Sequence, residues 1–223
     1  MSGARKPRKG SLPALLEAHN AALSVCVRCG YADPAVRPIL SEARSPRAML
    51  VGQAPGKVEM GDRRPFAGRA GKTLFRWLGQ AGVDEPTFRE RVYIAAVTRC
   101  YPGPSPSGRG DRAPSRRERE NCSVWLDAEL RIIRPPLLIL VGRLAIDRFL
   151  GTGALDELVG RSHVVKHVGG ESLAIPLPHP SGASSWVNVS EHRVLLDRAL
   201  QLLGRELFDL GVGAGPGPAE RSA

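Results

Sequence analysis

Continuous apolar runs alternate with amphipathic stretches along most of this chain, and the alternation predicts its elements. Three runs are short and rich in β-formers: Ala48 to Val51, Val92 to Val97, and Pro136 to Gly142. The third has no polar residue, the pattern of a central parallel strand covered on both faces. His163 to Val168 and Leu173 to Leu177 read as two further strands around Gly169-Gly170. Helical spacing takes over between the runs. Leu12, Leu15, Leu16, Ala22 and Leu23 predict a helix from Leu12 to Val25, and a second is expected from about Gly71 to Ala81, closed by Gly82. Ser115, with Glu118 three residues on, has the form of a capping box. It opens a helix to about Ile133 that carries Cys122 and turns Val124, Leu126, Leu130 and Ile133 inward. Leu144 to Leu150 is a short helix, and Ser190 to Leu207 a long one repeating Leu195, Leu196, Ala199, Leu202 and Leu203.

Strands alternating with helices predict an α/β fold: a single three-layer α/β/α domain with a mostly parallel central sheet. The domain is expected over residues 11–208, between a basic tail at 1–10 and a Gly/Pro-rich tail at 209–223, both predicted to be disordered. Tyr31 to Arg47 and Tyr101 to Ser115, rich in Pro, Gly, Ser and Arg, read as loops. There is no internal repeat. At 223 residues the chain can bury one substantial core.

Charge narrows the choice of partner. The formal net charge is +10 and the isoelectric point about 10.2, an electrostatic footprint for nucleic acid, although a basic proteome or acidic lipid gives the same balance. No stretch approaches the roughly 20 apolar residues of a membrane span, and the opening residues carry no apolar run after their charges. A soluble, cytoplasmic protein without membrane attachment is expected.

Candidate chemistry gathers in two turns and four thiols. Val51-Gly52-Gln53-Ala54-Pro55-Gly56-Lys57-Val58-Glu59 follows a strand, and Arg64-Pro65-Phe66-Ala67-Gly68-Arg69-Ala70-Gly71 opens a helix. A strand, a tight turn and a helix place backbone N–H groups at the carboxyl edge of a sheet, where an anion or polar ring can sit. Pro178-His179-Pro180-Ser181-Gly182 also follows a strand and should share that edge. Cys26-x-x-Cys29 puts two thiols on one turn; Cys100 ends a strand and Cys122 rides a helix. Cytosolic thiols stay reduced, so this set reads as a metal centre, and the spacing leaves zinc and a 4Fe–4S cluster both open.

Taken together, these residues resemble the uracil-DNA glycosylase superfamily, in the iron–sulfur branch called family four. That branch has a Gly-Glu-Ala-Pro-Gly turn, an acidic residue three positions on, a Pro-Phe-x-Gly-Arg-Ala-Gly run, a late His-Pro turn and four cluster cysteines. Here they are Gly52 to Gly56, Glu59, Pro65 to Gly71, His179-Pro180 and Cys26, Cys29, Cys100 and Cys122. The likeness spans about Cys26 to Leu203. Gln53 stands where the branch has Glu, and Ala96 where it has the Asn that reads uracil. The run Ala95-Ala96-Val97 is closer to family five, which accepts several deaminated bases, while the turn lacks that family's Asp-bearing motif.

The resemblance implies a monomeric glycosylase that flips a deaminated base, uracil first among them, out of DNA and hydrolyses its N-glycosidic bond. His179 would donate to the base O2, with backbone N–H groups at Gln53 and its neighbours. Ala54, Gly56 and Ala96 would line the base slot, Phe66 would stack on the ring, and Glu59 would position water. Ser181, Gly182 and Ser184, with Arg69, Arg109 and Arg112, would meet the DNA, and Arg99, Arg116 and Arg117 are further candidates for phosphates. The four cysteines would hold a 4Fe–4S cluster as a structural tie. The alternatives are an inert damaged-DNA-binding protein on the same fold, a glycosylase for hypoxanthine or xanthine, and a zinc-stabilised nucleotide hydrolase.

Overall fold

A computed structural model describes residues 8, 10–108, 110–181 and 186–214. Its centre is a five-stranded sheet of β1 (Ala48–Gly52), β2 (Val92–Ala96), β3 (Leu137–Val141), β4 (His163–His167) and β5 (Gly170–Leu177), in the order β2-β1-β3-β5-β4. All neighbours pair in parallel except β4 with β5, which are antiparallel. β1 and β3 are buried at every position, as expected of strands covered on both faces. The edge strand β4 buries only Val165.

Alternate residues of each central strand feed two cores. Leu50, Ile94, Ile139 and Ile175 face one layer, formed by α3 (Arg69–Gln80), α4 (Glu85–Arg91) and α8 (Ser190–Asp209). Met49, Tyr93, Leu138 and Leu140 face the other, formed by α1 (Leu12–Ser24), α5 (Arg116–Ile133) and α6 (Arg143–Leu150). The helix start expected at Ser115 is there: its Oγ accepts the Glu118 N–H at 3.2 Å, and Glu118 Oε2 accepts the Ser115 N–H at 2.7 Å. The chain leaves β1 for β2 on one side and returns to β3 on the other. This is the arrangement that opens a crevice at the carboxyl ends of the strands.

Several expectations need correction. Three short helices lie where no element was expected: α2 (Lys57–Asp62), α4, and α7 (Leu155–Leu158). Each is seven residues or fewer, too short for an apolar periodicity to register. On α5 the inward residues are Cys122, Leu126, Glu129 and Leu130, while Val124 is 44% exposed. The domain also runs past 208. Val212 is fully buried and the Ala214 N–H reaches Gly82 O at 3.0 Å, because a single apolar residue after the Gly211 turn is enough to dock the segment. The rest of both tails lies outside the described residues.

Candidate active site and thiol pocket

At the carboxyl edge of the sheet the ends of β1, β2 and β5 open into a cleft of about 620 Å³. Parallel pairing continues past the strands: Val97 N–H donates to Gly52 O at 2.9 Å and Thr98 N–H to Gln53 O at 3.2 Å. The Gln53 turn is therefore seated on the exit of β2, beside Ala96. Gln53, Ala54, Gly56, Glu59, Phe66 and Ala96 all line the cleft, and so do Arg69, Arg112, His179 and Ser181. Arg109, Gly182 and Ser184 lie outside the described residues.

Glycine at two positions lets the chain approach itself. A Cβ on Gly52 would stand 3.1 Å from the Phe66 ring, so that ring lies directly over the end of β1. Phe66 has φ 52°, a strained conformation for an aromatic residue. It is held there from behind: buried Arg89 donates to Pro65 O at 2.8 Å and Phe66 O at 3.3 Å. A Cβ on Gly71 would collide with Phe66 O.

Glu59 is buried, and its two oxygens tie two loops together. Oε2 accepts the Gly56 N–H at 3.0 Å and Oε1 the Gly68 N–H at 2.9 Å. The sequence position, three residues after a helix N-cap, accounts for the first bond. The second closes the Phe66 loop onto the same carboxylate, a contact that only the fold supplies.

His179 follows β5 by two residues and is half-buried. Its Nδ1 accepts the Ser181 N–H at 3.2 Å and lies 2.9 Å from Ser181 Oγ. A backbone donor at Nδ1 selects the neutral tautomer with its proton on Nε2. Burial lowers the pKa below the ordinary histidine value, with Glu59 pulling the other way, so the ring is neutral at pH 7. Gly142, at the end of β3 with φ 84°, presses against it: a Cβ there would stand 2.9 Å from His179 Cδ2.

The far wall comes from the 101–115 loop, which sequence reasoning treated as a basic surface. Asp111 is its one acidic residue, and burial and this neighbouring carboxylate raise the pKa of the Tyr101 hydroxyl. Ser105 N–H to Gly110 O at 2.9 Å and Arg112 N–H to Gly103 O at 3.1 Å brace the loop. Arg112 uses its fork on Glu118, at 2.7 and 2.6 Å. Tyr31 Oη also donates to Glu118, and these bonds hold that carboxyl at about 2. Sequence reasoning missed Asp111, because a single acid in a Pro/Gly/Arg loop carries no local mark of facing the cleft.

Behind this wall, Cys26, Cys29, Cys100 and Cys122 line one small pocket. None is in a disulfide. Two sulfurs receive N–H donors: Trp125 Nε1 to Cys26 Sγ at 3.2 Å and Arg99 N to Cys122 Sγ at 3.3 Å. Burial and the neighbouring thiolates push Cys100 up to about 12, and burial pushes Cys122 to about 11. A cation among them would favour the thiolate form of these two. Among the described residues no three Cys, His, Asp or Glu side chains stand close enough to hold a single ion. The donor set itself, four thiols around one pocket, is one that zinc and an iron–sulfur cluster both accept.

Arg99 lines both this pocket and the cleft. Its assignment to phosphate is corrected here: the side chain is 2% exposed and pairs with fully buried Glu129. A guanidinium sealed in the core cannot reach DNA. Glu129 Oε1 also lies 3.1 Å from His19 Nε2 and accepts from Tyr93 Oη at 3.0 Å. Burial would raise that carboxyl, but Arg99 and His19 outweigh it and hold it low. Arg116 is exposed and pairs with Glu120 at 2.7 Å.

The three-layer fold, with a glycine-lined cleft, one neutral histidine and an overlying aromatic ring at the carboxyl edge of its sheet, defines a class of α/β domains with an edge cleft. The model of the Uracil DNA glycosylase superfamily matches residues 40–202, and the chain belongs to that superfamily. It is 33% identical over 135 residues to the type-4 uracil-DNA glycosylase of Thermotoga maritima, covering 60% of this chain and 65% of that protein. To the type-4 enzyme of Sulfurisphaera tokodaii it is 30% identical over 141 residues, covering 60% of each. The type-5 enzyme of Pyrobaculum aerophilum is 30% identical over 178 residues, covering 74% of this chain and 73% of that protein. The matches span less than two thirds of the length of the two type-4 relatives.

Proposed function

We propose that this protein is a DNA glycosylase that takes an extruded uracil, or a related deaminated base, into the cleft and hydrolyses its N-glycosidic bond, leaving an abasic site. One observation carries the reading: the neutral His179 ring, the Phe66 ring and the Gln53–Gly56 turn line a single cleft at the sheet edge. Breaking the C1′–N bond leaves its electron pair on the base, and the charge develops on the carbonyl oxygens. His179 Nε2–H and the backbone N–H groups of the turn stabilise that charge without a compensating cation. Phe66 stacks on the ring, offering a flat face to any base. Glu59 fixes the turn and offers its remaining lone pairs to water.

DNA is met at the mouth. Exposed Arg69 and Lys57, with Ser181, lie where the flanking phosphates would run, so binding weakens steeply with salt. Extruding the base costs a few kcal/mol, least at a mismatch. A 4Fe–4S cluster held by Cys26, Cys29, Cys100 and Cys122 supplies, when bound, a cross-link between the end of α1, the exit of β2 and α5. Iron content and brown colour in anaerobically purified protein distinguish it from zinc and count against the nucleotide-hydrolase alternative.

The test is release of free base from oligonucleotides carrying uracil, hypoxanthine or xanthine. His179→Ala should lower the single-turnover rate by about 10² to 10³. Unchanged release would remove His179 from the mechanism. Ala96 favours a second reading on the same panel. Its methyl group puts no side-chain amide at the base edge, so a range wider than uracil is expected. Tight binding without release from any oligonucleotide would mark a damage sensor instead.

A further inference from the structure

The turn that starts the site carries no titratable side chain before Lys57, and both oxygens of Glu59 already hold backbone N–H groups. A water attacking C1′ still has to lose a proton, and the far wall of the cleft carries a carboxylate able to take it. A Cβ added to Gly56 would stand 2.7 Å from Glu59 Oε2 and 2.8 Å from Asp111 Oδ2. The two carboxylates, 52 positions apart in the chain, thus flank one point at the start of α2. A side chain at 56 would be driven into both oxygens, so glycine there is what lets the two carboxylates come together.

We propose that Asp111 is the general base for hydrolysis, sharing with Glu59 the water that attacks C1′. This rests on the glycosylase reading above. The step balances simply. The water oxygen bonds to C1′, the C1′–N bond breaks with its electron pair on the base, and the water proton passes to the Asp111 carboxylate. From there it reaches the departed base anion through solvent.

Asp111 is held for this task. It forms an antiparallel bridge with Pro104, flanked by the Ser105–Gly110 and Gly103–Arg112 bonds. The Tyr101 side chain lies beside its carboxylate. The next residue, Arg112, is locked onto Glu118 at the N-terminus of α5. The loop therefore presents an acceptor to the same cleft as His179 without having to order itself first. His179 stabilises the leaving base while Asp111 activates the nucleophile, and each comes from a different loop.

The experiment uses the full-length, metal-loaded protein and a uracil-containing oligonucleotide under single-turnover conditions. General bases contribute about 10² to 10⁴ in rate, so Asp111→Asn should slow release at least 100-fold. Affinity for an uncleavable oligonucleotide should be kept or raised, since a negative charge has gone. Asp111→Gly should regain activity when formate is added, a response that a merely structural role would not give. Asp111→Asn within threefold of wild type overturns the proposal and leaves the glycosylase reading standing. So does Asp111→Gly that formate fails to rescue while its thermal midpoint matches wild type. Wild-type protein that releases no base from any oligonucleotide overturns both.

Discussion

The cleft and the thiol pocket share a wall but solve opposite electrostatic problems. On the proposed reaction, charge appears on the leaving base only as its bond breaks, and the groups waiting for that charge are neutral: the His179 N–H, backbone N–H groups and an aromatic face. In the pocket, charge is permanent. Cys122, a guanidinium, a carboxylate and an imidazole are buried there, and the other three thiols are part-buried. Buried charge is tolerated only when paired, and Arg99 and Glu129 pair here, with His19 and Tyr93 on the same carboxylate. An open site can rely on orientation, whereas a sealed one must balance its charges. Arg99, common to both walls, lets the balanced region support the oriented one.

The largest expected effect breaks the sealed side. Glu129→Ala leaves Arg99 buried and unpaired, which costs about 3–5 kcal/mol. Denaturant unfolding should show the loss, and an unchanged midpoint would mean that the network is not load-sharing. Gly142→Ala attacks the oriented side instead. The added methyl at φ 84° would stand 2.9 Å from His179 Cδ2, so the ring must move. The single-turnover rate should fall on the order of 10- to 100-fold with DNA affinity little changed. Equal loss of rate and binding would place the damage in the fold rather than in the histidine.

The smallest effect is the pH response, and it sharpens the contrast. His179 donates while neutral, and burial lowers its pKa from the ordinary 6.5. The rate should therefore hold from pH 8 to below 6.5 and fall only as the ring protonates. For stability the sign is the same: the unfolded chain binds the proton more readily, so His179 adds stability above 6.5 that is lost as pH falls below it. Glu118, held at about 2, adds stability above the ordinary carboxylate range that is lost progressively as pH falls from that range to about 2. A rate falling already above pH 7 would show that His179 is not the neutral donor.

Much of this could be read from residue order. The strands at 48, 92 and 137, the Ser115–Glu118 cap and the Gly52–Glu59 turn are local, each set by neighbours within a few positions. Asp111 and Glu129 were not legible for the same reason. Nothing near Asp111 in the chain says that it faces Gly56, and Glu129 sits on a helix whose apolar spacing gives no hint of a buried carboxylate. Arg99 was read as a phosphate ligand because an arginine beside a basic loop has no local mark of burial.

The order of amino acids by itself determined the α/β alternation, the two turns after strands and the four thiols, because turn chemistry and apolar periodicity act over a few residues. Only tertiary structure decided which of those groups meet. The parallel sheet brings the ends of β1, β2 and β5 to one edge, so Gln53, Ala96 and His179 share a cleft. The Arg112–Glu118 anchor carries Asp111 to it, and the packing of α1 and α5 seals Arg99 against Glu129. Those pairings lie tens of residues apart, and their energies depend on burial, which no local pattern records.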